Sequence, residues 1–168
     1  MVPPTVGLLI LDVDGVLTDG RVGSAESDVG AARFHVQDGC AIKLWKSCGG
    51  GVGIISGRSG DAVRSRAEEL GIDWIHTQVP AKEPALNSIL DDAGCPDASV
   101  VYVGDDLPDI AVMARAGFAV AVADAVPAVK RAADYVTRRE GGRGAVAEVI
   151  ELVLRKQGRW PQAMRAHV

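Results

Sequence analysis

Two groups of carboxylates, each placed directly after a short apolar run, are the residues of this sequence best suited to chemistry. The first group is Asp12 and Asp14, and the second comprises Asp105, Asp106 and Asp109. Positions two apart in an extended chain face the same way, so Asp12 and Asp14 share one side. Continuous apolar runs are typical of buried parallel strands, whose carboxyl ends form the ligand crevice of open α/β folds. We therefore expect both acidic groups to meet in one crevice.

Several carboxylates in one crevice require a positive partner. Each like-charge pair about 4 Å apart costs on the order of 4 kcal/mol at an effective dielectric constant of roughly 20. A hard divalent cation meets this need, and Mg²⁺ is the expected ion because it binds one or two carboxylates together with waters and substrate phosphate. The acidic groups thus predict Mg²⁺ as cofactor and a phosphorylated compound as substrate.

Polar residues after two further apolar runs supply what a phosphate group needs. Ser56, Gly57 and Arg58 offer a hydroxyl and backbone amides at a predicted helix start, which is a natural anion site. Lys82 adds a compact positive charge suited to phosphate. Each signal is weak alone, since Ser56 could be a helix cap and a lone lysine is more often a solvated surface residue. Their order after separate strands favours a phosphate site.

Together these residues predict covalent phosphoryl transfer. Asp12 is the expected nucleophile, which attacks phosphorus to form an aspartyl-phosphate that water then hydrolyses. Asp14 is the expected general acid and base, because the environment can keep one of two neighbouring carboxyls ionised while the other carries a proton. Lys82 and the metal offset the charge that develops on the phosphoryl group.

The elements that position these residues follow from length and periodicity. The chain has 168 residues, of which 48% are hydrophobic and 24% charged, as expected for one globular domain over residues 1–168. Apolar runs alternate with amphipathic segments, which predicts an α/β fold, a Rossmann-like three-layer sandwich around a mostly parallel central sheet. The predicted strands cover residues 7–11, 51–55, 74–75, 100–103, 118–121 and 135–136. The predicted helices cover residues 40–47, 59–70, 84–93, 108–116, 128–133 and 145–156.

Two segments depart from this alternation. Residues 19–35 are rich in glycine and serine and lack helical spacing, which predicts a β-hairpin flap. Residues 157–168 are polar, contain Pro161 and are expected to form a poorly ordered tail. Only 40 residues separate Gly15 from Ser56, and the flap, one helix and one strand use them, so we expect no separate cap domain.

Charge and composition argue against several classes of protein. A net charge of −4 without a basic block argues against nucleic-acid binding. The first apolar run is interrupted by Asp12, and no uncharged apolar stretch approaches the ~20 residues of a transmembrane helix, so we expect neither a signal peptide nor a membrane span. Three cysteines without Cys-x-x-Cys spacing predict neither a disulfide framework nor a zinc site, and they indicate the reducing cytoplasm.

Four motifs, spread over most of the chain, resemble in type and order those of the haloacid dehalogenase superfamily of phosphatases. They are Asp12-x-Asp14-Gly15, Ser56-Gly57, Lys82 and Gly104-Asp105-Asp106-x-x-Asp109. Within that superfamily, the sequence resembles the capless sugar-acid phosphatases that act on 3-deoxy-D-manno-octulosonate 8-phosphate. The stretches that carry this narrower resemblance are residues 12–20, 34–39, 103–109, 122–125, 133–137 and 141–146.

The resemblance implies a Mg²⁺-dependent, cytoplasmic enzyme of lipopolysaccharide biosynthesis that removes phosphate from an eight-carbon sugar acid. It implies that the carboxylates of Asp12 and Asp105 and the main-chain carbonyl of Asp14 hold Mg²⁺, while Asp106 and Asp109 support the site. It further implies a homotetramer in which the flap joins the subunits and a neighbouring subunit excludes water from the site.

The choice of sugar rests on fewer residues. Arg58 has the planar fork suited to a carboxylate, and Arg66 lies about two helical turns further on, on roughly the same face. Similar phosphatases of nine-carbon sialic-type acids tend to carry Glu at the position of Arg58, which favours the eight-carbon substrate. Gln37, Ala41 and Ala147 stand where the family frequently has Arg, Gly and Arg, so a nine-carbon 9-phosphate stays open as the substrate.

Two alternatives to hydrolysis also stay open. A catalytically idle regulatory relative would keep the shape of the site, although such proteins tend to lose the nucleophile or the metal ligands, and this sequence retains both. A phosphomutase would transfer phosphate to a second sugar, which demands exclusion of water during the transfer and is disfavoured by the missing cap.

Overall fold

The computed structural model describes residues 2–3, 5–22, 32–58 and 60–165. Its parallel six-stranded central sheet has helices on both sides, which confirms the predicted α/β fold. The strands are β1 (Leu8–Leu11), β2 (Gly51–Ile55), β3 (Trp74–His76), β4 (Val100–Gly104), β5 (Phe118–Ala121) and β6 (Tyr135–Val136). The α-helices are α1 (Val36–Ser47), α2 (Asp61–Leu70), α3 (Lys82–Ala93), α4 (Ile110–Met113), α5 (Pro127–Ala132), α6 (Ala145–Lys156) and α7 (Trp160–Arg165).

The order of strands across the sheet, β3-β2-β1-β4-β5-β6, places β1 between β2 and β4. The chain builds one half of the sheet outward from β1 and then returns to start the other half with β4. A reversal of this kind opens a crevice at the carboxyl ends of the strands, where open α/β sheets bind ligands. Leu11 of β1 pairs with Val103 of β4, so the residues that follow these two enter the crevice side by side.

The central strands form because both faces of the sheet are covered. Leu9, Ile10 and Leu11 of β1 are buried, and β4 is buried along its whole length, as expected for parallel strands with continuous apolar sequences. Helices α1 and α6 pack against each other. The buried stripe of α6 has helical spacing and consists of Val146, Val149, Ile150, Val153 and Leu154. Among the described residues, no helix is both long and apolar enough to cross a membrane.

All six predicted strands are present, with shifts of one residue at one end of β1, β3 and β4. The predicted ends of α2 and α3 are confirmed at Gly71 and Gly94, whose φ angles of 66° and 61° lie in the left-handed region that glycine readily adopts. Helix α3 begins at Lys82, two residues before the predicted start, so Lys82 belongs to the first turn of a helix.

Helix α1 begins at Val36, four residues before the predicted start at Cys40. The helix predicted over residues 108–116 is also wrong in extent. A 3₁₀ turn at Leu107–Asp109 comes first, and α4 ends at Met113. The turn is tight because the side chains of Asp106 and Asp109 form a capping box across it. Sequence periodicity does not reveal this, since it depends on side chains that bond to the backbone.

The C-terminal segment differs from the expected poorly ordered tail. Residues Trp160–Arg165 form α7, in which Ala163 is fully buried. The guanidinium carbon of Arg155 lies 4.7 Å from the centroid of the Trp160 ring, a cation–π contact between α6 and α7. The expectation is therefore wrong for residues 160–165, and residues 166–168 lie outside the described part of the chain.

Most of the predicted flap also lies outside the described part, at residues 23–31. The described residues on its two sides, 19–22 and 32–35, belong to no helix or strand. Val22 and Val36, which flank the segment, are 56% and 74% exposed. The hairpin itself stays a prediction.

Candidate active site

The two acidic groups meet at the carboxyl edge of β1 and β4. Oxygens of the carboxylates of Asp12, Asp105 and Asp109 lie within 4.8 Å of one another. Asp12 directly follows β1 and is buried, and its backbone N–H donates to the carbonyl of Val103 at 3.0 Å, which extends the β1–β4 pairing by one residue. The sheet thus produces the convergence that the strand-end positions predicted.

The turn after Asp12 and Asp14 must leave space for the side chain of Asp105. The absence of a side chain at Gly15 provides that space. Gly15 has a φ of +88°, and a Cβ atom there would lie 2.1 Å from Oδ2 of Asp105. Thr18 closes the turn, since its hydroxyl donates to the carbonyl of Val13 at 3.3 Å and accepts the N–H of Gly15 at 3.4 Å. Glycine at this position is therefore a steric requirement for the approach of the two acidic groups.

Asp109 is fully committed to hydrogen bonds within the protein. Its Oδ1 accepts from Nζ of Lys82 and from the hydroxyl of Tyr102, each at 2.6 Å. Its Oδ2 accepts the backbone N–H groups of Asp105 and Asp106 at 2.9 and 3.1 Å. Four donors use the four acceptor positions of a carboxylate. Asp109 therefore holds its neighbours in place and has no acceptor position left for a ligand.

Lys82 bridges two of the carboxylates. Its side chain is only 9% exposed, and Nζ lies 2.5 Å from Oδ1 of Asp12 and 2.6 Å from Oδ1 of Asp109. Burial alone would lower the pKa of the Lys82 ammonium, but the charges of Asp12 and Asp109 raise that pKa above its ordinary value. Burial and the same carboxylates also raise the pKa of Tyr102 well above its ordinary value, so its phenol stays a donor.

Negative charge at the crevice exceeds what Lys82 neutralises. Burial raises the pKa of Asp12 to about 6, although the Lys82 ammonium acts in the opposite direction. Burial raises the pKa of Asp105 to about 8, and repulsion from Asp12 and Asp109 adds to this effect. A hard divalent cation bound by oxygen ligands relieves such an excess. Because Asp109 has no acceptor position left, Asp12 and Asp105 are the carboxylates that fit this ion.

The segment after β2 lies beside Asp14. Ser56 is buried, and its hydroxyl donates to Oδ2 of Asp14 at 3.5 Å and accepts the backbone N–H of Arg58 at 3.1 Å. Nε of Arg58 lies 4.0 Å from the same Asp14 oxygen, and the Arg58 side chain is 59% exposed. Gly57, between them, is exposed. Helix α2 begins only at Asp61, so Ser56 does not cap it, and the helix-cap alternative is wrong.

Arg66 makes contacts that differ from the predicted role in substrate binding. Its Nη1 lies 2.6 Å from a carboxylate oxygen of Glu69, and its guanidinium carbon lies 6.0 Å from the centroid of the Phe34 ring. A Cβ atom at Gly39 would lie 2.3 Å from Nη2, so the side chain is packed against α1. The assumed helical spacing from Arg58 does not apply, because Arg58 precedes the start of α2.

Tyr102 was not identified from the sequence, since a tyrosine within an apolar strand is ordinarily a core residue. A weak signal was the glycine two positions later. Gly104 faces the same side of β4 as Tyr102, and a Cβ atom there would lie 2.6 Å from Cβ of Asp109. The missing side chain is what lets Asp109 lie above the strand and reach the hydroxyl of Tyr102.

The loop between β6 and α6 supports the turn after the first acidic pair, a role that the resemblance of residues 141–146 to the family did not reveal. A Cβ atom at Gly141 would lie 1.7 Å from the carbonyl oxygen of Gly15, and the N–H of Gly142 donates to the carbonyl of Val16 at 2.8 Å. Buried Asp38 anchors the loop by accepting two backbone N–H groups near the start of α6, at 3.1 and 2.8 Å. These contacts join segments distant in sequence, which local patterns do not reveal.

The known proteins to which this chain is similar are hydrolases, as the geometry of the site indicates. A family model described as haloacid dehalogenase-like hydrolase matches residues 75–150. The 3-deoxy-D-manno-octulosonate 8-phosphate phosphatase of Escherichia coli K12 is 42% identical over 158 residues, which cover 94% of this chain and 84% of the relative.

Solved structures give the same result. The 3-deoxy-D-manno-octulosonate 8-phosphate phosphatase from Moraxella catarrhalis, in complex with a magnesium ion, a phosphate ion and a KDO molecule, has a TM-score of 0.93 at 34% identity and covers 98% of this chain and 95% of its own. The cobalt-bound deoxy-D-mannose-octulosonate 8-phosphate phosphatase from Haemophilus influenzae has a TM-score of 0.89 at 36% identity, with coverages of 92% and 91%. This chain therefore belongs to the haloacid dehalogenase-like hydrolases, in the family of the 3-deoxy-D-manno-octulosonate 8-phosphate phosphatases.

Proposed function

We propose that this protein is a Mg²⁺-dependent phosphomonoesterase that releases phosphate from 3-deoxy-D-manno-octulosonate 8-phosphate, a step of lipopolysaccharide biosynthesis. The observation that carries the proposal is the buried Asp12–Lys82 ion pair, 2.5 Å long, beside Asp105 at the β1–β4 crevice. This arrangement suits covalent phosphoryl transfer. The substrate is proposed from the family, whose named relatives act on this compound.

Asp12 is the proposed nucleophile. One of its carboxylate oxygens attacks phosphorus, the bond between phosphorus and the sugar oxygen breaks, and an aspartyl-phosphate forms. Lys82 donates to Oδ1 of Asp12, which orients the carboxylate and favours its ionised form against the burial that raises its pKa to about 6. The Lys82 ammonium also offsets negative charge that grows on the phosphoryl oxygens.

Asp14 is the proposed general acid and base. In the first step its carboxyl gives a proton to the departing sugar oxygen. In the second step it takes a proton from the water that attacks phosphorus, the phosphorus–oxygen bond to Asp12 breaks, and the free carboxylate returns. Asp14 is half-buried, with Oδ2 at 3.5 Å from the Ser56 hydroxyl and 4.0 Å from Nε of Arg58. These long contacts orient the carboxyl and leave its oxygens available for proton transfer.

Asp12 and Asp105, with the main-chain carbonyl of Asp14, are proposed to hold Mg²⁺. When bound, the ion supplies positive charge to the phosphoryl oxygens during the transfer. The fit rests on Asp105, whose pKa of about 8 reflects burial and repulsion from neighbouring carboxylates. Asp109 supports the site through the backbone of Asp105 and Asp106, and Asp106 caps the turn that follows.

Substrate recognition is proposed for the segment after β2. Ser56 and Gly57 border the place for phosphate, and the exposed fork of Arg58 is suited to the carboxylate of the sugar acid. Arg66 is left out of the proposal, because its guanidinium pairs with Glu69 at 2.6 Å.

Phosphate release by purified protein tests the proposal. Turnover of 3-deoxy-D-manno-octulosonate 8-phosphate is expected with Mg²⁺, should disappear with EDTA, and should return when Mg²⁺ is restored. A nine-carbon sialic-type 9-phosphate, assayed in parallel, should give a lower kcat/KM, and the reverse ratio would favour that alternative substrate. If neither compound releases phosphate, the protein is better described as a catalytically idle relative.

We also propose a homotetramer in the cytoplasm. Val22, within the predicted flap, and Val36, directly after it, expose apolar surface that a partner subunit could cover. The free cysteines Cys40, Cys48 and Cys95 agree with a reducing compartment. Analytical ultracentrifugation is expected to give four times the 17.5 kDa mass of one chain, and a monomer would contradict the tetramer.

A further inference from the structure

Tyr102 is a buried polar residue of the site to which the proposed reaction gives no role. Its side chain is 0% exposed, and its hydroxyl donates to Oδ1 of Asp109 at 2.6 Å. A phenylalanine would fill nearly the same space in the core. What distinguishes Tyr102 from a phenylalanine is therefore its hydrogen bond to the Asp109 carboxylate.

Two donors share the same oxygen of Asp109. Tyr102 and Lys82 each lie 2.6 Å from Oδ1, and Lys82 also lies 2.5 Å from Oδ1 of Asp12. An ammonium between two carboxylates moves toward the oxygen with more uncompensated charge. The Tyr102 hydroxyl compensates part of the charge on Asp109, which leaves more of the Lys82 interaction to the proposed nucleophile.

We propose that Tyr102 is a positioning residue whose hydroxyl fixes the Asp109 carboxylate and thereby sets how Lys82 divides its hydrogen bonds between Asp109 and Asp12. The inference rests on the proposed function, because it deepens the account of the same site. Tyr102 acts only through Asp109 and Lys82, and it does not touch the reacting atoms.

The other oxygen of Asp109 extends the effect to the proposed metal ligand. Oδ2 accepts the backbone N–H of Asp105 at 2.9 Å, so rotation of the Asp109 carboxylate would shift the chain that carries Asp105. Loss of the Tyr102 hydroxyl removes one of the four donors that prevent this rotation. The Mg²⁺ concentration for half-maximal activity should therefore rise along with the change at Lys82.

The chain has two tyrosines, and this gives the test a matched control. Tyr102→Phe removes a hydroxyl bonded to Asp109, and Tyr135→Phe removes a hydroxyl bonded to Glu148 at 2.7 Å, away from the acidic cluster. We expect Tyr102→Phe to lower kcat about tenfold with KM changed less than about twofold, because a misplaced catalytic group costs rate. Tyr135→Phe should keep both constants.

Rescue separates the hydroxyl from the general integrity of the core. 3-Fluorotyrosine at position 102 keeps the ring and the donor, so kcat should stay within about twofold of the unmodified protein. If Tyr102→Phe keeps more than half of kcat, or if Tyr135→Phe loses as much, the positioning role is overturned. Failure of the 3-fluorotyrosine protein to retain kcat would equally overturn it, including in the event that Tyr102→Phe does not fold.

A crystal structure of Tyr102→Phe tests the inference without any activity. The distance from Nζ of Lys82 to Oδ1 of Asp12 should lengthen beyond about 3.2 Å while the bond to Asp109 is kept. Unchanged distances would overturn the inference even in an active enzyme. If the unmodified protein releases no phosphate, the proposed function fails, and this structural measurement still decides the role of Tyr102.

Discussion

The two sides of the crevice are built in different ways. On one side is the carboxylate cluster of Asp12, Asp105 and Asp109, in which Lys82 joins Asp12 and Asp109 by contacts of 2.5 and 2.6 Å. On the other side, the anion segment, residues 56–58, reaches Asp14 only at 3.5 and 4.0 Å. The Lys82 side chain is almost completely buried, whereas the Arg58 side chain is mostly exposed.

Under the proposed mechanism, this difference separates the residues of the chemical step from those that recognise the substrate. Groups that stabilise developing charge work best when they are fixed in advance and shielded from water, as Lys82 and Asp12 are. Contacts in a site without substrate are often long and tighten when the complex forms. The carboxylate cluster is therefore assembled by the fold itself, while we propose that the anion segment completes its contacts only when a ligand binds. Substitutions in the carboxylate cluster should therefore lower kcat, whereas substitutions in the anion segment should raise KM.

The largest effect is expected at the nucleophile. Asp12→Asn should lower kcat at least about a thousandfold, since an amide cannot form the phosphorylated intermediate. Lys82 keeps its bond to Asp109, so the variant should stay folded. Phosphate release and circular dichroism measure the two expectations. Asp97→Asn, which alters a carboxylate paired with Arg115 outside the crevice, is the control and should keep full activity. Substantial turnover by Asp12→Asn would refute its assignment.

Removal of the bridging ammonium should damage both rate and stability. Lys82→Met is expected to lower kcat about a hundredfold. It should also lower the free energy of unfolding by about 3–5 kcal/mol, because Asp12 and Asp109 then face each other without their cation. Lys46→Met removes a lysine bonded to Asp73 at 2.5 Å in a more exposed setting, and it should cost less than about 1 kcal/mol. If urea titrations gave Lys82→Met and Lys46→Met equal losses of unfolding free energy, the expected difference between the buried and the exposed lysine would be wrong.

The metal-free protein should become less stable as the pH rises. The pKa of Asp105 is about 8 and that of Asp12 about 6 in the folded protein, against an ordinary value of 3.8, so the folded state binds more protons than the unfolded state between these limits. The stability that depends on protonation of these two carboxyls is fully present below about pH 4. It is lost as the pH rises through about 8, the folded-state pKa of Asp105. Lys82, whose pKa is raised above 10.5, does not titrate in this window.

Thermal unfolding in EDTA, at several pH values across this window, measures that loss. The Tm should fall from the acidic to the alkaline end, and added Mg²⁺ should raise it most at the alkaline end, where both carboxylates are ionised. Asp105→Asn should flatten the upper part of the curve. A Tm that rises across the window would show that the carboxylates are already compensated without metal.

The sequence predicted that the acidic groups meet, but it did not predict the hydrogen bonds that hold them. Continuous apolar runs predicted the parallel strands, and the pairing of β1 with β4 in that sheet brings the residues after them together. That all acceptor positions of Asp109 are occupied could not be predicted, because Tyr102 and Lys82 reach one of its oxygens from different elements. The argument for Arg66 from helical spacing fails for a related reason, and its role in binding stays a prediction. Its helical spacing was counted from Arg58, which lies before the helix, so local periodicity did not describe the pair.

The smallest effect is expected from those two arginines, and they sharpen the contrast between chemistry and recognition. Arg58→Ala should raise KM for the sugar-acid phosphate about tenfold and change kcat less than about threefold, because the sugar carboxylate that Arg58 is proposed to bind does not change during the reaction. Arg66→Ala, the matched control, should keep both constants and lose only thermal stability, since it removes contacts with Glu69 and Phe34. A raised KM for Arg66→Ala would return that residue to the binding site. A kcat loss for Arg58→Ala as large as that for Lys82→Met would instead mean that the anion segment takes part in the chemical step, and that the two sides of the crevice are not functionally distinct.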